Sequence, residues 1–259
     1  MRIRRGSEGN IPSLSHRWSL TCLLILAAGM QSAIGAEKCP EQMRASGFPE
    51  DAITVVNGDG QRLHLRADES QTTHQLALQL EEHAVTVAYP IAVILFRPAF
   101  SENDGSSEID ELLAITAQQV EIAMRAGADS KEMEKLRALM GASCIRRELV
   151  AMRPTEWQRR WHEPSRLQPG DIVFLPPRMK HVAVVGAVEQ PGLQAYAPEH
   201  DARSYVVDAQ YQRLRARLGD AKAYLPNGRV VPVQVASWNY ERAELPPGSV
   251  IIVPPWKPE

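Results

Sequence analysis

Between Arg146 and Arg166 the chain interleaves cations with indoles: Arg146, Arg147, Arg153, Arg159, Arg160 and Arg166 surround Trp157 and Trp161. A guanidinium is a rigid planar fork that holds a carboxylate through two parallel N–H donors. An indole carries a flat, weakly negative face against which the C–H side of a sugar ring can lie. Together these residues could hold an acidic polysaccharide without covalent chemistry, with Arg146, Arg147, Trp157, Arg159, Arg160 and Trp161 as the expected contacts. Packing explains the same pattern equally well, with arginines on the solvent side of a strand or loop and tryptophans turned inward. Trp238-Asn239 reads as a strand end in which the indole is buried and the amide satisfies turn backbone. Arg178 and Lys180 could line a groove between domains, or simply stand in water on a linker.

Catalytic patterns are absent from the sequence. There is no His-Glu-x-x-His, no Gly-x-Ser-x-Gly, no phosphate loop and no Cys-x-x-Cys. No histidine lies four residues from another, so a metal site would need distant residues to converge; no metal ligand and no cofactor is assigned. Glu81 with Glu82, or Glu241 with Glu244, could be drawn as glycosidase carboxylates, although solvated acids are the commoner case in an acidic chain. No enzymatic activity is expected, the alternatives being a periplasmic enzyme that modifies polysaccharide and a glycan- or small-ligand-binding module.

Compartment follows from the first 36 residues. Arg2, Arg4, Arg5 and Arg17 precede or open an apolar stretch from Leu20 to Met30, too short to span a bilayer, and Ala33-Ile34-Gly35-Ala36 offers small residues for cleavage. A signal peptide over residues 1–36 is expected, with export to the periplasm and no membrane span after cleavage. Residues 37–259 then hold 25 basic against 30 acidic side chains, a net charge near −5, which argues against a nucleic-acid partner. Cys39 and Cys144 remain in an oxidising compartment, either bridged or as two separate thiols.

A repeat reveals the frame that must position these groups. LQPGDIVFLPP, from Leu167 to Pro177, recurs 78 residues on as LPPGSVIIVPP, from Leu245 to Pro255. Each copy reads as a Pro-Gly turn, an apolar strand and a proline stop, and each strand must find its own sheet. Before the first copy, Ile53–Val56 and Leu63–Arg66 flank Asn57-Gly58-Asp59-Gly60 as a hairpin. Thr73–His83 is expected as a helix with Leu76 and Leu80 inward, and Val85–Arg97 as a buried strand bent at Pro90. From Ser107 to Met140 the apolar period becomes helical, through Ile109, Leu112, Leu113, Val120 and Ala123, and again through Met133, Leu136 and Met140, which predicts a helical hairpin. Extended structure resumes at Glu148–Met152. After the first copy come strands His181–Val188 and Leu193–Ala197, a helix Ser204–Tyr211, a hairpin around Pro226-Asn227-Gly228, and the closing strand Val250–Val253.

Strand, turn, strand, helix, hairpin, strand is the order of a β-grasp module. VVGAVEQPG, from Val184 to Gly192, resembles the soluble-ligand-binding β-grasp pattern of polysaccharide export proteins. With YPIAVILFR, the helical insertion, LQPGDIVFLPPR, YLPNGRVVPVQVASWN and PPGSVIIVPP in this order, nearly the whole chain after the leader resembles the GfcC-like capsule biosynthesis family. The resemblance implies an α+β, mainly β protein of two tandem β-grasp domains, over residues 37–179 and 180–259, with the helical hairpin near 105–143 inserted in the first. It further implies a non-enzymatic role in capsule or exopolysaccharide export, with the outer-membrane export machinery or the polysaccharide itself as partner. One departure is the amphipathic helix that usually follows the last strand in that family, where this sequence has Trp256-Lys257-Pro258-Glu259.

Overall fold

The computed structural model describes residues 39–66, 72–99, 107–148 and 166–256; the expected leader, and Arg153, Trp157, Arg159, Arg160 and Trp161, lie outside them. The first sheet contains β1 (Ala52–Asn57), β2 (Arg62–Arg66), β3 (Ile94–Pro98), β4 (Ile145–Glu148) and β5 (Ile172–Leu175), in the order β2-β1-β5-β3-β4. The second contains β6 (His181–Gly186), β7 (Gly192–Ala195), β8 (Lys222–Tyr224), β9 (Val230–Pro232) and β10 (Val250–Val253), in the order β7-β6-β10-β8-β9. Strand for strand, the two orders are the same. In each, the last strand lies parallel to the first and antiparallel to the third. One helix joins the second strand to the third, α2 (Thr73–Glu82) in the first domain and α5 (Ala202–Asp208) in the second. The protein is thus α+β, mainly β, with two tandem β-grasp domains.

The repeat forms β5 and β10, the middle strand of each sheet. A central strand covered on both faces needs apolar side chains at every position, which is why Ile172-Val173-Phe174-Leu175 and Val250-Ile251-Ile252-Val253 are unbroken apolar runs. Both are entered through a glycine at positive φ, +85° at Gly170 and +90° at Gly248. The next residue differs for a physical reason. Asp171 accepts a hydrogen bond from the Gln168 amide at 2.8 Å, whereas the matching Pro246 has no amide hydrogen, and Ser249 instead donates to the Pro246 carbonyl at 2.7 Å.

Alternation sorts the side chains into layers. Ile53, Val55, Leu95, Val173 and Leu175 face α2, through Leu76 and Leu80. Val56, Ile94, Phe96, Ile172 and Phe174 face the other way, onto α1 (Cys39–Ala45), α3 (Ser107–Arg125) and α4 (Ser130–Gly141). The second sheet repeats the arrangement: Val182, Val184, Ile251 and Val253 pack on α5, while Ala183 and Val250 join the α3–α4 layer. The helical hairpin is inserted between β3 and β4, where the second domain has the tight turn at Pro226-Asn227-Gly228. It is therefore sandwiched, one sheet on each side.

Two expectations need correction. Extended pairing begins at Ile94 rather than at Val85, because Pro90 opens a 3-10 turn over Pro90–Ala92 that ends the approach to the sheet. Trp238, expected inside, is 81% exposed. Helix α1 was not evident in the sequence, since seven residues with a proline second in line are too short to show a period.

Candidate functional site

Of the expected polysaccharide contacts, Arg146 and Arg147 are described, and they point to opposite faces of β4. Arg146 pairs with Glu148 at 3.1 Å on the outer side. Arg147 is 5% exposed and turns inward beside Ile145, so it cannot meet a polymer outside the protein; this corrects the expectation. Its guanidinium donates to Gln119 Oε1 and Thr116 Oγ1 on α3, and to the Pro226 carbonyl of the second domain at 2.6 Å. Gln119 in turn donates to the carbonyls of Leu225 at 2.9 Å and Gly248 at 3.2 Å. Tyr89 Oη donates to the Pro247 carbonyl at 2.8 Å. These bonds clamp the β8–β9 turn and the entry of β10 onto the inserted hairpin. All of the acceptors of Arg147 are neutral, and burial pushes its guanidinium down to about 9, still a cation at neutral pH.

Cys39 and Cys144 are bridged, with Cα atoms 5.1 Å apart. The bond ties α1 to the residue that leads into β4, across 105 residues of sequence. In the chain-entropy model, closing a loop of that length stabilises the fold by about 5 kcal/mol. Arg97 holds the buried Asp171 through Nε and Nη2, both at 3.1 Å, and so fixes the start of β5 to β3.

A concave feature of the second domain is a groove of about 440 Å³. Its floor is Val206 of α5 with Val235 and Ala236, all buried. Its rims are two indoles, Trp238 at 81% exposure and Trp256 at 65%. Trp256 is held by its backbone: its amide donates to the Arg215 carbonyl at 2.5 Å, and the Arg217 amide donates to the Pro254 carbonyl at 2.9 Å. Trp238 rests on bare backbone, because a Cβ at Gly219 would lie 3.0 Å from its Cζ2. The charged lining is Arg203, Arg217 and Asp220. Arg217 pairs with Asp220 at 2.5 Å and stands 5.6 Å from the Trp256 ring centroid. Arg203 lies 4.9 Å from the centroid of Tyr240.

Tyr240 and Asp201 support this rim. Tyr240 Oη donates to Asp201 Oδ2 at 2.5 Å, while Asp201 caps α5 by accepting from the Ser204 amide at 2.8 Å. Burial acts to raise the Asp201 carboxyl, but the donors from Tyr240 and from the Ser204 amide and hydroxyl outweigh it and hold it below its ordinary value. The groove residues lie far apart in sequence, so no local pattern marked them. The exposed run Arg213, Arg215, Arg217 was the one signal nearby.

The other sequence candidates stay dispersed. Glu81 and Glu82 stand in water at the end of α2, Glu241 and Glu244 are exposed, and so are Arg178 and Lys180. Among the described residues, no three metal-ligating side chains cluster and no helix is long and apolar enough to cross a membrane. Fold and disulfide define a disulfide-bonded tandem β-grasp protein. No protein-family model matches the chain. The chain is similar to the uncharacterized protein YjbG of Escherichia coli (strain K12), 27% identical over 162 residues; the match covers 57% of this chain and 63% of YjbG, less than two thirds of that relative.

Proposed function

We propose that this is a periplasmic, non-enzymatic accessory protein of capsule or exopolysaccharide export, acting through partners or through the polymer. The observation that carries this reading is the duplicated β-grasp frame with a helical hairpin at the β3–β4 connection, the arrangement that the GfcC-like resemblance implies. The Cys39–Cys144 bridge supports it, because such bonds persist in oxidising compartments. The test is deletion of the gene in its own host, with the amount and chain length of surface polysaccharide measured before and after. Loss or shortening of the polymer is expected, restored by the full chain and not by a version lacking residues 1–36. Unchanged polysaccharide in the deletion strain refutes the proposal.

A further inference from the structure

The groove beside α5 unites features that seldom meet on a surface without a ligand. Two indoles that line one concavity expose most of their area, although large aromatic side chains are normally turned inward. Neither is a loose appendage. Trp238 rests on Gly219, and the bridge of Ala216 to Pro255, with the flanking backbone bonds, fixes Trp256. The Trp238 ring thus has a seat and the Trp256 backbone is fixed, which lowers the ordering cost of whatever lies against them. At about 440 Å³ the groove falls within the roughly 300–1,000 Å³ usual for small-ligand sites.

Charge selects the occupant. The residues after the expected leader carry an acidic excess, yet the groove is lined by two guanidinium groups against one carboxylate. That carboxylate, Asp220, is neutralised by Arg217. Arg203 forms no ion pair among the described residues, and Arg213 and Arg215 stand exposed on the adjoining loop. A ligand matched to this site has flat C–H faces for the indoles, hydroxyl edges for the Arg217–Asp220 pair, and a carboxylate for Arg203. A pyranose chain bearing uronic acids has all three, whereas an apolar peptide would leave the cations without partners.

We infer that the groove between Trp238 and Trp256 binds a short stretch of acidic polysaccharide, with Arg203 receiving the sugar carboxylate. This rests on the export role in naming a polysaccharide, but the geometry concerns a site that the role does not itself assign. It is a separate site from the expected contact at Trp157, Arg159, Arg160 and Trp161, which lie outside the described residues.

The experiment titrates the full chain with oligogalacturonate and oligoglucuronate, beside their carboxyl-reduced neutral forms, by calorimetry at low and at physiological salt. Binding of at least one acidic oligomer is expected, weakened ten-fold or more by Trp238→Ala and by Trp256→Ala. Arg203→Gln should reduce the acidic ligand to the affinity of its neutral form. Because all three side chains lie on the surface of the fold, melting temperatures should hold, and a Gly219→Val variant, which displaces the Trp238 indole, should copy the loss at full stability. Failure of both acidic oligomers to bind overturns the inference, as does binding that survives both tryptophan substitutions. Light scattering covers the rival occupant: a dimer that Trp238→Ala dissociates would assign the groove to a second copy and also overturn it. Failure here with polysaccharide loss in the deletion strain would remove the site and leave the export role; binding with no phenotype would do the reverse.

Discussion

Substituting Arg147 asks whether the clamp between the two domains works by charge or by shape. Keeping this guanidinium charged in the interior has a cost that follows from its lowered affinity for the proton: about 9, against the ordinary arginine value, at about 1.4 kcal/mol per pH unit, gives a penalty of about 5 kcal/mol. Arg147→Met removes that penalty while roughly keeping the side chain's length. It leaves Gln119 Oε1 and the Pro226 carbonyl without their donor, a loss of about 1–3 kcal/mol each; Thr116 can turn its hydroxyl elsewhere. Gain and loss nearly cancel, so the methionine variant should fall within about 3 kcal/mol of the parent. Arg147→Lys behaves differently. Its ammonium is more strongly hydrated, so the penalty stays, and one point charge cannot span acceptors on α3 and on the β8–β9 turn. At about 1.5–3 kcal/mol for each charged hydrogen bond lost, and at least one lost, the lysine variant should be destabilised by at least about 1.5–3 kcal/mol. Urea unfolding at neutral pH, with the slope checked for constancy, gives both values. A lysine variant more stable than the methionine variant would show that charge, not the planar fork, holds the junction.

Three further outcomes are expected. Reduction of the Cys39–Cys144 bond, or Cys144→Ser, should cost about 5 kcal/mol and lower the melting temperature by at least 10 °C, read from melts with and without a phosphine reductant; two reactive thiols in unreduced protein would refute the bond. Asp201→Ala should cost about 1–2 kcal/mol at pH 7 through the lost α5 cap. Because the folded state holds Asp201 below its ordinary value, its contribution is present above the unfolded carboxylate value and disappears as pH falls through the folded one. The gap between parent and variant should therefore close on acidification, and a gap constant down to pH 2.5 would contradict this linkage. Gly248→Ala should destabilise by about 2 kcal/mol or more, since it needs positive φ and its new methyl would strike the Met179 sulfur; an unchanged denaturant midpoint would exclude the strain.

The frame was legible because the repeat is dictated by burial on both faces of a central strand, so Ile172–Leu175 and Val250–Val253 had little freedom to be anything else. Turn chemistry fixed the hairpins for similar reasons: Asn57 accepts from the amides of Asp59 at 3.1 Å and Gln61 at 2.9 Å, a local bond that needs no tertiary context. The helical hairpin was visible as a period, but not its buried polar line, since Thr116 and Gln119 look like solvent positions until a second sheet covers them. Arg147 misled for the same reason. An arginine among arginines reads as surface, and its burial depends on the turn at Pro226, 79 residues away. Trp238 failed in the opposite sense: its indole lies over Gly219, which is not adjacent to it in the chain.

Sharing one helical layer between two sheets has a mechanical consequence. Neither β-grasp domain possesses a complete interior: removing the second would strip one flank of α3, and removing the first would expose Ala183, Tyr224 and Val250. The chain should melt as one unit, and no cut near residue 180 should yield a soluble half. Tandem modules joined by a flexible linker can reorient, each following its own partner. Here the hairpin acts as a wedge set between two plates, so a molecule seated against one end keeps a fixed bearing to the disulfide-tied end. Such a body keeps its two ends at a fixed distance and direction, as a ruler does and a hinge cannot.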